Sequence, residues 1–186
     1  MYKGNLLATE ETLILVDKED NIIGYETKDK CHQGEGLLHR AFSIFIFNEK
    51  KQLLIQRRSE MKELWPLYWS NSVCSHPRKG ETYKTAVKRR LKEELGIETA
   101  LKHLFKFKYQ ASFKNTGSEY ELCAVYIGKT NVKVMANKRE IAEWKYINLE
   151  KLSEEFLTHP EIYTPWFKIE WERINKDYLV AIRFDK

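Results

Sequence analysis

One segment of the 186-residue chain constrains the fold more than any other, because its helix signal is complete at both ends. Apolar side chains recur there every fourth residue and form one stripe, made of Tyr83, Val87, Leu91 and Leu95. Thr82 is a suitable cap for the start of such a helix, and Gly96 is suited to close its end. The sequence therefore predicts a helix over residues 82–95.

Most of the other regular segments have the composition of strands. Residues 41–47 are rich in aromatic and branched side chains, residues 48–50 form a turn, and residues 52–57 return as a hairpin. Further strands are predicted at residues 12–16, 22–27, 105–111, 120–127 and 144–147. Such a chain is expected to form one α+β domain, with a mixed sheet flanked by helices.

Two shorter helices and two loops complete the predicted elements. Helices are expected at residues 149–156, capped by Asn148, and from residue 166 to about 175, capped by Thr164 with Pro165 in the first turn. Residues 28–38 are predicted to be a loop, as are residues 64–77, which also contain a short strand.

Composition and charge argue against several classes of protein. There is no apolar run of about 18 residues and no signal-peptide layout at the N-terminus, so we expect a cytoplasmic protein without a membrane span. Three widely spaced cysteines do not form a disulfide framework or a paired-cysteine zinc site. The net charge of +5 is spread along the chain, which argues against nucleic-acid binding and favours a small anionic ligand. No long exposed apolar patch stands out, although the sequence does not determine the oligomeric state; our expectation is a monomer or a weak homodimer.

Several histidines and glutamates have spacings suited to a shared site. In extended backbone, residues two apart point to the same face, so Cys74 and His76 can face one cavity. Glu119 and Glu121 have the same spacing. With His32 and His39, three imidazoles and two carboxylates could fill most of a six-coordinate metal shell. A lone histidine is more often structural, which is the reading preferred for His103 and His159.

The predicted helix 82–95 resembles part of the Nudix box, a loop–helix–loop that binds divalent metal beside a diphosphate. The box has the form G-x5-E-x7-R-E-U-x-E-E-x-G-U, with U an aliphatic residue. The matching positions are Glu81, Arg89, Leu91, Glu93, Glu94, Gly96 and Ile97. Ser75 replaces the first glycine, and Arg90 replaces a glutamate that is a principal metal ligand in Nudix hydrolases. The resemblance implies the Nudix fold but not pyrophosphate hydrolysis. Spacing alone also allows ordinary surface pairs, Arg89 with Glu93 and Arg90 with Glu94.

A second resemblance covers nearly the whole chain. The segment Asn71-Ser72-Val73-Cys74-Ser75-His76-Pro77 resembles the active-site motif of type 1 isopentenyl-diphosphate isomerases, and Glu119-Tyr120-Glu121-Leu122-Cys123 resembles their second motif. Ser75 stands where glycine is common in that family. Shorter matches follow at Leu38 to Ser43, Gln56 to Ser59, Trp65-Pro66 and Thr164-Pro165-Trp166. The resemblance implies a single Nudix-like isomerase domain over residues 1–186, with N-terminal strands over about 1–28 and a C-terminal helical extension over about 160–186.

Roles for individual residues follow from this resemblance. It implies that Cys74 and Glu121 are proton-transfer groups on opposite faces of the substrate, and that the Tyr109 hydroxyl supports Glu121. One divalent metal, Mn²⁺, Mg²⁺ or Zn²⁺, would be held by His32, His39, His76, Glu119 and Glu121. Glu94 would anchor a Mg²⁺ that arrives with the diphosphate. The implied substrate-binding residues are Lys28, Arg58, Lys62, Arg90 and Trp166.

The implied reaction is the conversion of isopentenyl diphosphate into dimethylallyl diphosphate by a 1,3-allylic proton shift. Other readings stay open for single residues: Cys74 as a structural thiol, Trp166 as core, and Lys28, Arg58 and Lys62 as solvated charges. Two other functions are compatible with a Nudix-like chain. One is a hydrolase of nucleoside diphosphate derivatives, and the other is an inactive Nudix-like binding module.

Overall fold

The computed structural model describes residues 11–178, and within them nine strands form one mixed sheet that four α-helices flank. The strands are β1 (Thr12–Val16), β2 (Ile22–Thr27), β3 (His39–Phe47), β4 (Leu53–Arg58), β5 (Trp69–Ser70), β6 (Val73–Ser75), β7 (Leu101–Phe113), β8 (Gly117–Lys129) and β9 (Ile141–Ile147). The helices are α1 (Lys28–His32), α2 (Tyr83–Leu95), α3 (Leu149–Thr158) and α4 (Pro165–Asp177). The predicted α+β class is confirmed. The parts of the predicted terminal segments at residues 1–10 and 179–186 lie outside the described residues.

Strand β3 is the centre of the sheet because neighbours share both of its edges. Along one edge it pairs in parallel with β8 over its whole length, from His39 opposite Glu121 to Phe47 opposite Lys129. The other edge is divided among β1, β6 and β4, and in the middle section Ser43 lies opposite Cys74. The strands that carry Cys74 and Glu121 therefore flank β3 on either side.

The two faces of the sheet bury separate apolar clusters. Residues of β3 alternate between the faces because successive side chains of a strand point in opposite directions. Phe42, Ile44 and Ile46 pack with the apolar stripe of α2. Phe45 and Phe47 pack on the other face with aromatic side chains of α4, among them Trp166 and Phe167. By register, Cys74, His39 and Glu121 lie on this second face, which α4 covers.

The predicted central helix is confirmed at both ends. The Thr82 hydroxyl accepts a hydrogen bond from the Thr85 backbone N–H, and the Thr85 hydroxyl accepts one from the Thr82 N–H. Gly96 has a φ of 67°, and a Cβ there would lie 2.9 Å from the Cβ of Met135. Glycine is therefore required at this position by both conformation and space.

One local prediction is wrong, and two predicted helix caps form without the side-chain bond expected of them. Residues 28–32 form helix α1 rather than a loop, and the Thr27 hydroxyl caps its start by accepting a hydrogen bond from the Lys30 N–H. The helix is too short for its sequence to show a helical period. Asn148 is the N-cap residue of α3, as predicted, but its side chain makes no capping hydrogen bond, because its oxygen accepts one from Gln52 at 2.9 Å. Thr164 is the N-cap residue of α4 and Pro165 lies in its first turn, as predicted, but the Thr164 hydroxyl bonds the Ser70 hydroxyl at 3.0 Å instead of the helix.

The segment at residues 64–77 contains two short strands, β5 and β6, where one was predicted. None of the helices in residues 11–178 is long and apolar enough to cross a membrane.

Candidate active site

Five side chains that are distant in sequence meet at one end of the sheet. Within this group, ligand atoms from all five lie within 4.8 Å of one another. The group comprises His32, His39, His76, Glu119 and Glu121, and we refer to it as the histidine–glutamate cluster. Helix α1 supplies the first histidine, β3 begins with the second, the third directly follows β6, and β8 carries both glutamates. The set predicted from sequence is thus brought together in space.

The chemical state of the cluster suits a divalent metal. The Nδ1 of His39 lies 2.7 Å from the Leu37 carbonyl, which fixes this nitrogen as the donor and leaves Nε2 free as a ligand. The His39 Nε2 is buried without a hydrogen-bond partner. The His32 Nε2 and the Glu119 Oε2 are also buried, and they lie 2.9 Å from each other without forming a well-aligned hydrogen bond. Buried polar atoms are normally paired, so these three ligand atoms fit a bound cation.

Burial also keeps two of the imidazoles neutral, as metal ligation requires. Burial, with the nearby His32 acting in the same direction, lowers the pKa of His39 to about 4. The pKa of His76 is held well below its usual value, mainly by burial and then by the two other imidazoles. Both rings are therefore unprotonated at neutral pH, with lone pairs available for coordination.

The two carboxylates of the cluster differ in their surroundings. Burial raises the pKa of Glu121 well above its usual value, and the nearby Glu119 carboxylate raises it further. Burial acts in the same direction on Glu119, but His32 and the other imidazoles outweigh it, so the pKa of Glu119 is lowered. Glu121 also accepts a hydrogen bond from the Tyr109 hydroxyl at 2.6 Å and contacts His76 Nε2 at 2.8 Å. Glu121 is therefore the carboxyl better suited to carry a proton.

Cys74 packs against the apolar cluster on this face of the sheet, but its sulfur also has two polar neighbours. Its Sγ is 3.6 Å from the Ser70 hydroxyl and 3.9 Å from Nη1 of Arg58. Burial raises the pKa of the thiol to about 11, although the Arg58 charge acts against this shift. The thiol is thus protonated at neutral pH and held by two polar neighbours.

Trp166 forms the aromatic wall beside these groups. Its indole N–H donates to the Ser70 hydroxyl at 3.1 Å, and its ring lies edge-on to Trp65 with centroids 5.2 Å apart. The guanidinium of Arg58 lies 5.3 Å from the Trp166 ring and donates to the Trp65 and Leu64 carbonyls. Ser70 therefore links the thiol to the indole.

The proton-transfer candidates face one cavity of about 350 Å³, a volume suited to a small ligand. Its polar lining includes Cys74, Tyr109 and most of the histidine–glutamate cluster. The basic lining residues are Lys28, Arg58, Lys62, Arg90 and Arg139. The cavity therefore joins a metal-suited end to a basic end.

At the basic end, most charges already have partners. Arg90 donates through Nε and Nη2 to Glu94 Oε1 at 3.0 and 2.7 Å, and through Nη2 to Glu140 Oε1 at 2.9 Å. Lys62 contacts the same Glu140. The pair of Arg90 and Glu94 predicted for a surface is buried, since Glu94 is only 2% exposed. We call Lys62, Arg90, Glu94 and Glu140 the ion-pair cluster.

The structure brings together the sequence-predicted residues with one difference in position. Glu94 is buried behind Arg90 and is not among the described residues that line the cavity. Sequence reasoning missed Ser70, Arg139 and Glu140. Ser70 lies in a segment without a clear period, and the other two follow a stretch without regular structure. Only their tertiary contacts reveal them.

Comparisons with known proteins find relatives over most of the chain. The NUDIX domain family model matches residues 37–167. A protein of Photorhabdus laumondii subsp. laumondii named "Isopentenyl-diphosphate Delta-isomerase 1" is 43% identical over 178 residues, which cover 95% of this chain and 98% of that protein. An "Isopentenyl-diphosphate Delta-isomerase" of Serratia proteamaculans is 41% identical over 85% of this chain and 88% of that protein.

A solved structure shares the architecture. The crystal structure of DR0079 from Deinococcus radiodurans superposes with a TM-score of 0.73 at 26% identity, over 88% of this chain and 98% of that one. A MutT protein from Methanosarcina mazei has a TM-score of 0.63 at 22% identity, which is a likeness of fold alone.

Proposed function

We propose a mechanism from one premise: the chain belongs to the NUDIX domain family and, within it, to the isopentenyl-diphosphate Delta-isomerases. It is an isomerase that interconverts isopentenyl diphosphate and dimethylallyl diphosphate, a reaction of isoprenoid biosynthesis. One observation supports our assignment of residues to this reaction most strongly. Cys74, Tyr109 and Glu121 line the same cavity as the histidine–glutamate cluster.

The reaction moves one double bond and exchanges one proton. The π electrons of the terminal alkene form a new C–H bond, which leaves a tertiary centre with cationic character. A C–H bond on the carbon nearer the diphosphate then breaks, and its electron pair forms the new double bond. Proton gain and proton loss balance, so no oxidant or reductant is needed. Because alkenes are weak bases, the acid must be held close to them in a dry pocket.

We assign the two proton transfers to Cys74 and Glu121. They come from β6 and β8, which flank β3, so they approach the cavity from different strands. Burial raises the pKa of the thiol to about 11 and also raises the pKa of the carboxyl, and a turnover requires one of these groups to start protonated and the other deprotonated. In either direction one group donates and the other accepts, and Tyr109 orients the carboxyl by its hydrogen bond.

The metal roles rest on the same residues. A divalent ion held by the histidine–glutamate cluster, Mn²⁺, Mg²⁺ or Zn²⁺, would fix the Glu121 carboxyl and lower its pKa. We further propose that Glu94 holds the Mg²⁺ accompanying the diphosphate, since carboxylate oxygens suit this ion. The Arg90 guanidinium already donates to the Glu94 carboxylate, so the Mg²⁺ and the guanidinium would both contact this carboxylate.

The remaining lining residues supply binding and charge stabilisation. We assign Lys28, Arg58, Lys62 and Arg90 to the diphosphate, which accepts charge-assisted hydrogen bonds from such groups. Trp166 would face the reacting carbons, where an indole attracts a desolvated cationic centre by about 2 kcal/mol. The hydrogen bond from its N–H to Ser70 holds the ring in place.

The hydrolase alternative lacks a supporting observation. Arg90 stands where the Nudix box of a hydrolase has a metal-binding glutamate, and its guanidinium is engaged with Glu94 and Glu140. An inactive binding module would not need the Tyr109–Glu121 contact beside Cys74. We also propose one domain over residues 1–186, a monomer or weak homodimer, and a cytoplasmic location. Light scattering of the purified protein tests the oligomeric state.

The direct test is proton NMR of purified protein with isopentenyl diphosphate and Mg²⁺ in deuterated water. We expect dimethylallyl diphosphate to appear with deuterium at its allylic positions. Release of inorganic phosphate or pyrophosphate without an allylic product would contradict the proposal and favour hydrolysis. A protein that binds metal and substrate but leaves both unchanged would favour a binding module.

A further inference from the structure

The basic residues around the cavity differ in whether their side chains already contact an acceptor of the protein itself. Lys28 lies 3.8 Å from a carboxylate oxygen of Glu11, and Arg58 donates to two backbone carbonyls. Lys62 contacts Glu140, and Arg90 contacts Glu94 as well as Glu140. Four of the five cations that line the cavity thus have protein partners before any ligand arrives.

Arg139 is the fifth of these cations. Over residues 11–178, its guanidinium forms no ion pair and no hydrogen bond, and the residue is exposed and lines the cavity. Its charge is therefore the least compensated among the cations that a diphosphate would meet there.

The backbone around Arg139 is firmly held although its side chain is free. The Arg139 N–H donates to Asn137 Oδ1 at 3.0 Å, and the Asn137 N–H donates to the Glu94 carbonyl at 2.8 Å. The Glu140 carbonyl accepts from the Ser59 N–H at 2.9 Å. These bonds fix the turn against the end of α2 and against the segment that carries Lys62. The backbone position from which the Arg139 side chain extends is therefore fixed beside the ion-pair cluster.

The neighbouring Glu140 carboxylate contacts Lys62 and Arg90, the two cations that a diphosphate would also contact. Its pKa is lowered to about 2 because the attraction of Lys62 and Arg90 outweighs the effect of burial. Glu140 is therefore ionised at neutral pH and competes with an incoming diphosphate for the same two cations. The uncompensated charge of Arg139 offsets this competition.

We propose that Arg139 is a further substrate-binding residue, whose guanidinium contacts the diphosphate beside Lys62 and Arg90. This inference rests on the proposed function, because it assumes a diphosphate in this cavity. A guanidinium presents a planar fork of donors that matches phosphate oxygens in pairs, which a lysine ammonium does not. The contact adds affinity without entering the proton transfers.

The test compares Arg139→Gln and Arg139→Lys with the wild type and with Lys138→Gln. Lys138 is exposed, adjacent in sequence and outside the cavity lining, so its variant matches the loss of one charge. Two quantities are measured: the KM for isopentenyl diphosphate, and the Kd for inorganic pyrophosphate with Mg²⁺ by calorimetry. Urea unfolding of each variant verifies that the fold is intact.

We expect Arg139→Gln to raise both constants about 10-fold, with kcat within about twofold, since a hydrogen bond to a charged group contributes about 1.5–3 kcal/mol. Arg139→Lys should give a smaller rise, and Lys138→Gln should change neither constant by more than about twofold. The difference between wild type and Arg139→Gln should shrink at high salt, which a purely structural role would not produce.

Unchanged KM and Kd in a folded Arg139→Gln variant would overturn the inference while leaving the isomerase assignment intact. Equal losses in Arg139→Gln and Lys138→Gln would also overturn it, because they would reflect net charge alone. If the wild type binds pyrophosphate but does not isomerise isopentenyl diphosphate, the proposed function fails. The pyrophosphate constants then still decide the role of Arg139.

Discussion

The histidine–glutamate cluster and the ion-pair cluster bound the same cavity, but they differ in how completely their charges are satisfied. In the first, the His39 Nε2 lacks a hydrogen-bond partner, the His32 Nε2 and the Glu119 Oε2 contact only each other, and two imidazoles are kept neutral. In the second, Lys62 and Arg90 both contact carboxylates. The first cluster is thus arranged to bind an added cation. In the second, Lys62 and Arg90 must give up contacts with Glu94 and Glu140 before they can contact the diphosphate.

This difference separates chemistry from anchoring. The end of the cavity at the histidine–glutamate cluster carries Glu121 and Tyr109, which donates a hydrogen bond to it. Cys74 lies on β6, on the other side of β3 from the strand that carries Glu121. The end at the ion-pair cluster carries no group suited to proton transfer to carbon, but it holds the guanidinium and ammonium groups that suit a diphosphate. Changes at the first end should therefore alter turnover most, and changes at the second should alter affinity and stability.

The largest expected effect separates the two glutamates of the histidine–glutamate cluster. Glu121→Gln removes a metal ligand and the proposed proton-transfer group, so we expect kcat to fall by about 10⁴-fold even at saturating metal. Glu119→Gln removes a ligand only, and its kcat should recover substantially when metal is added in excess. NMR turnover over a metal titration measures both. Equal losses at saturating metal would remove the distinction between the two carboxylates.

In the ion-pair cluster, Arg90→Met should mainly affect stability. It leaves Glu94, which is 2% exposed, without its cation, and breaking a buried pair in this way costs about 3 kcal/mol or more. Urea unfolding monitored by circular dichroism measures the change. Lys88→Met, on an exposed position of the same helix, should stay within about 0.5 kcal/mol of the wild type. A similar small change in Arg90→Met would show that the cluster contributes little.

Acid should weaken the two ends in different pH ranges. The pKa of His39 is about 4 in the folded metal-free chain, below its ordinary value of 6.5, so the unfolded chain binds more protons between these values. The free energy of unfolding should therefore fall as the pH drops from about 6.5 to 4, by about 3 kcal/mol from His39 alone and further from His76, whose pKa is also lowered. The Glu140 pKa of about 2 preserves the contribution of the ion-pair cluster until the pH falls below about 4.5.

Urea unfolding of the metal-free protein at several pH values measures this dependence. The His159→Gln variant is the control, because His159 is exposed and lies outside the cluster. Its pH dependence should match that of the wild type. A free energy of unfolding that stays constant from pH 6.5 to 5 would contradict the buried neutral state of His39.

The smallest expected effect concerns the support of Glu121. Tyr109→Phe keeps the ring contacts with Phe107 and Trp166 but removes the hydroxyl that donates to Glu121. We expect kcat to fall about 10-fold and the metal affinity to change little. Tyr120→Phe, on the strand that carries Glu121, should leave kcat unchanged. An unaltered kcat in Tyr109→Phe would exclude a supporting role for the hydroxyl.

How much the sequence predicts depends on the range of the interactions involved. Helix α2 was predicted closely because its caps and apolar stripe are local signals. The histidine–glutamate cluster was predicted from motif resemblance and the two-residue spacing of strands, although its residues come from four separate elements. The five-residue helix that carries His32 was missed, because its length hides any period.

The failures have a common physical cause. Asn148 and Thr164 have the chemistry of helix caps, but each bonds a side chain from a distant segment instead. Glu140 and Ser70 have no distinctive local pattern, yet the first engages two cavity cations and the second links Cys74 to Trp166. Contacts between segments far apart in the chain decided each of these cases.

The most direct test of the separation between chemistry and anchoring is one pair of measurements on Cys74→Ala. Isopentenyl diphosphate turnover is followed by NMR, and the Kd for pyrophosphate with Mg²⁺ is measured by calorimetry. We predict that kcat falls at least about 10³-fold while the Kd stays within about threefold of the wild type. Cys31→Ala, which changes a thiol outside the cavity lining, should retain turnover. Ordinary turnover in Cys74→Ala would contradict the assignment of this thiol to proton transfer.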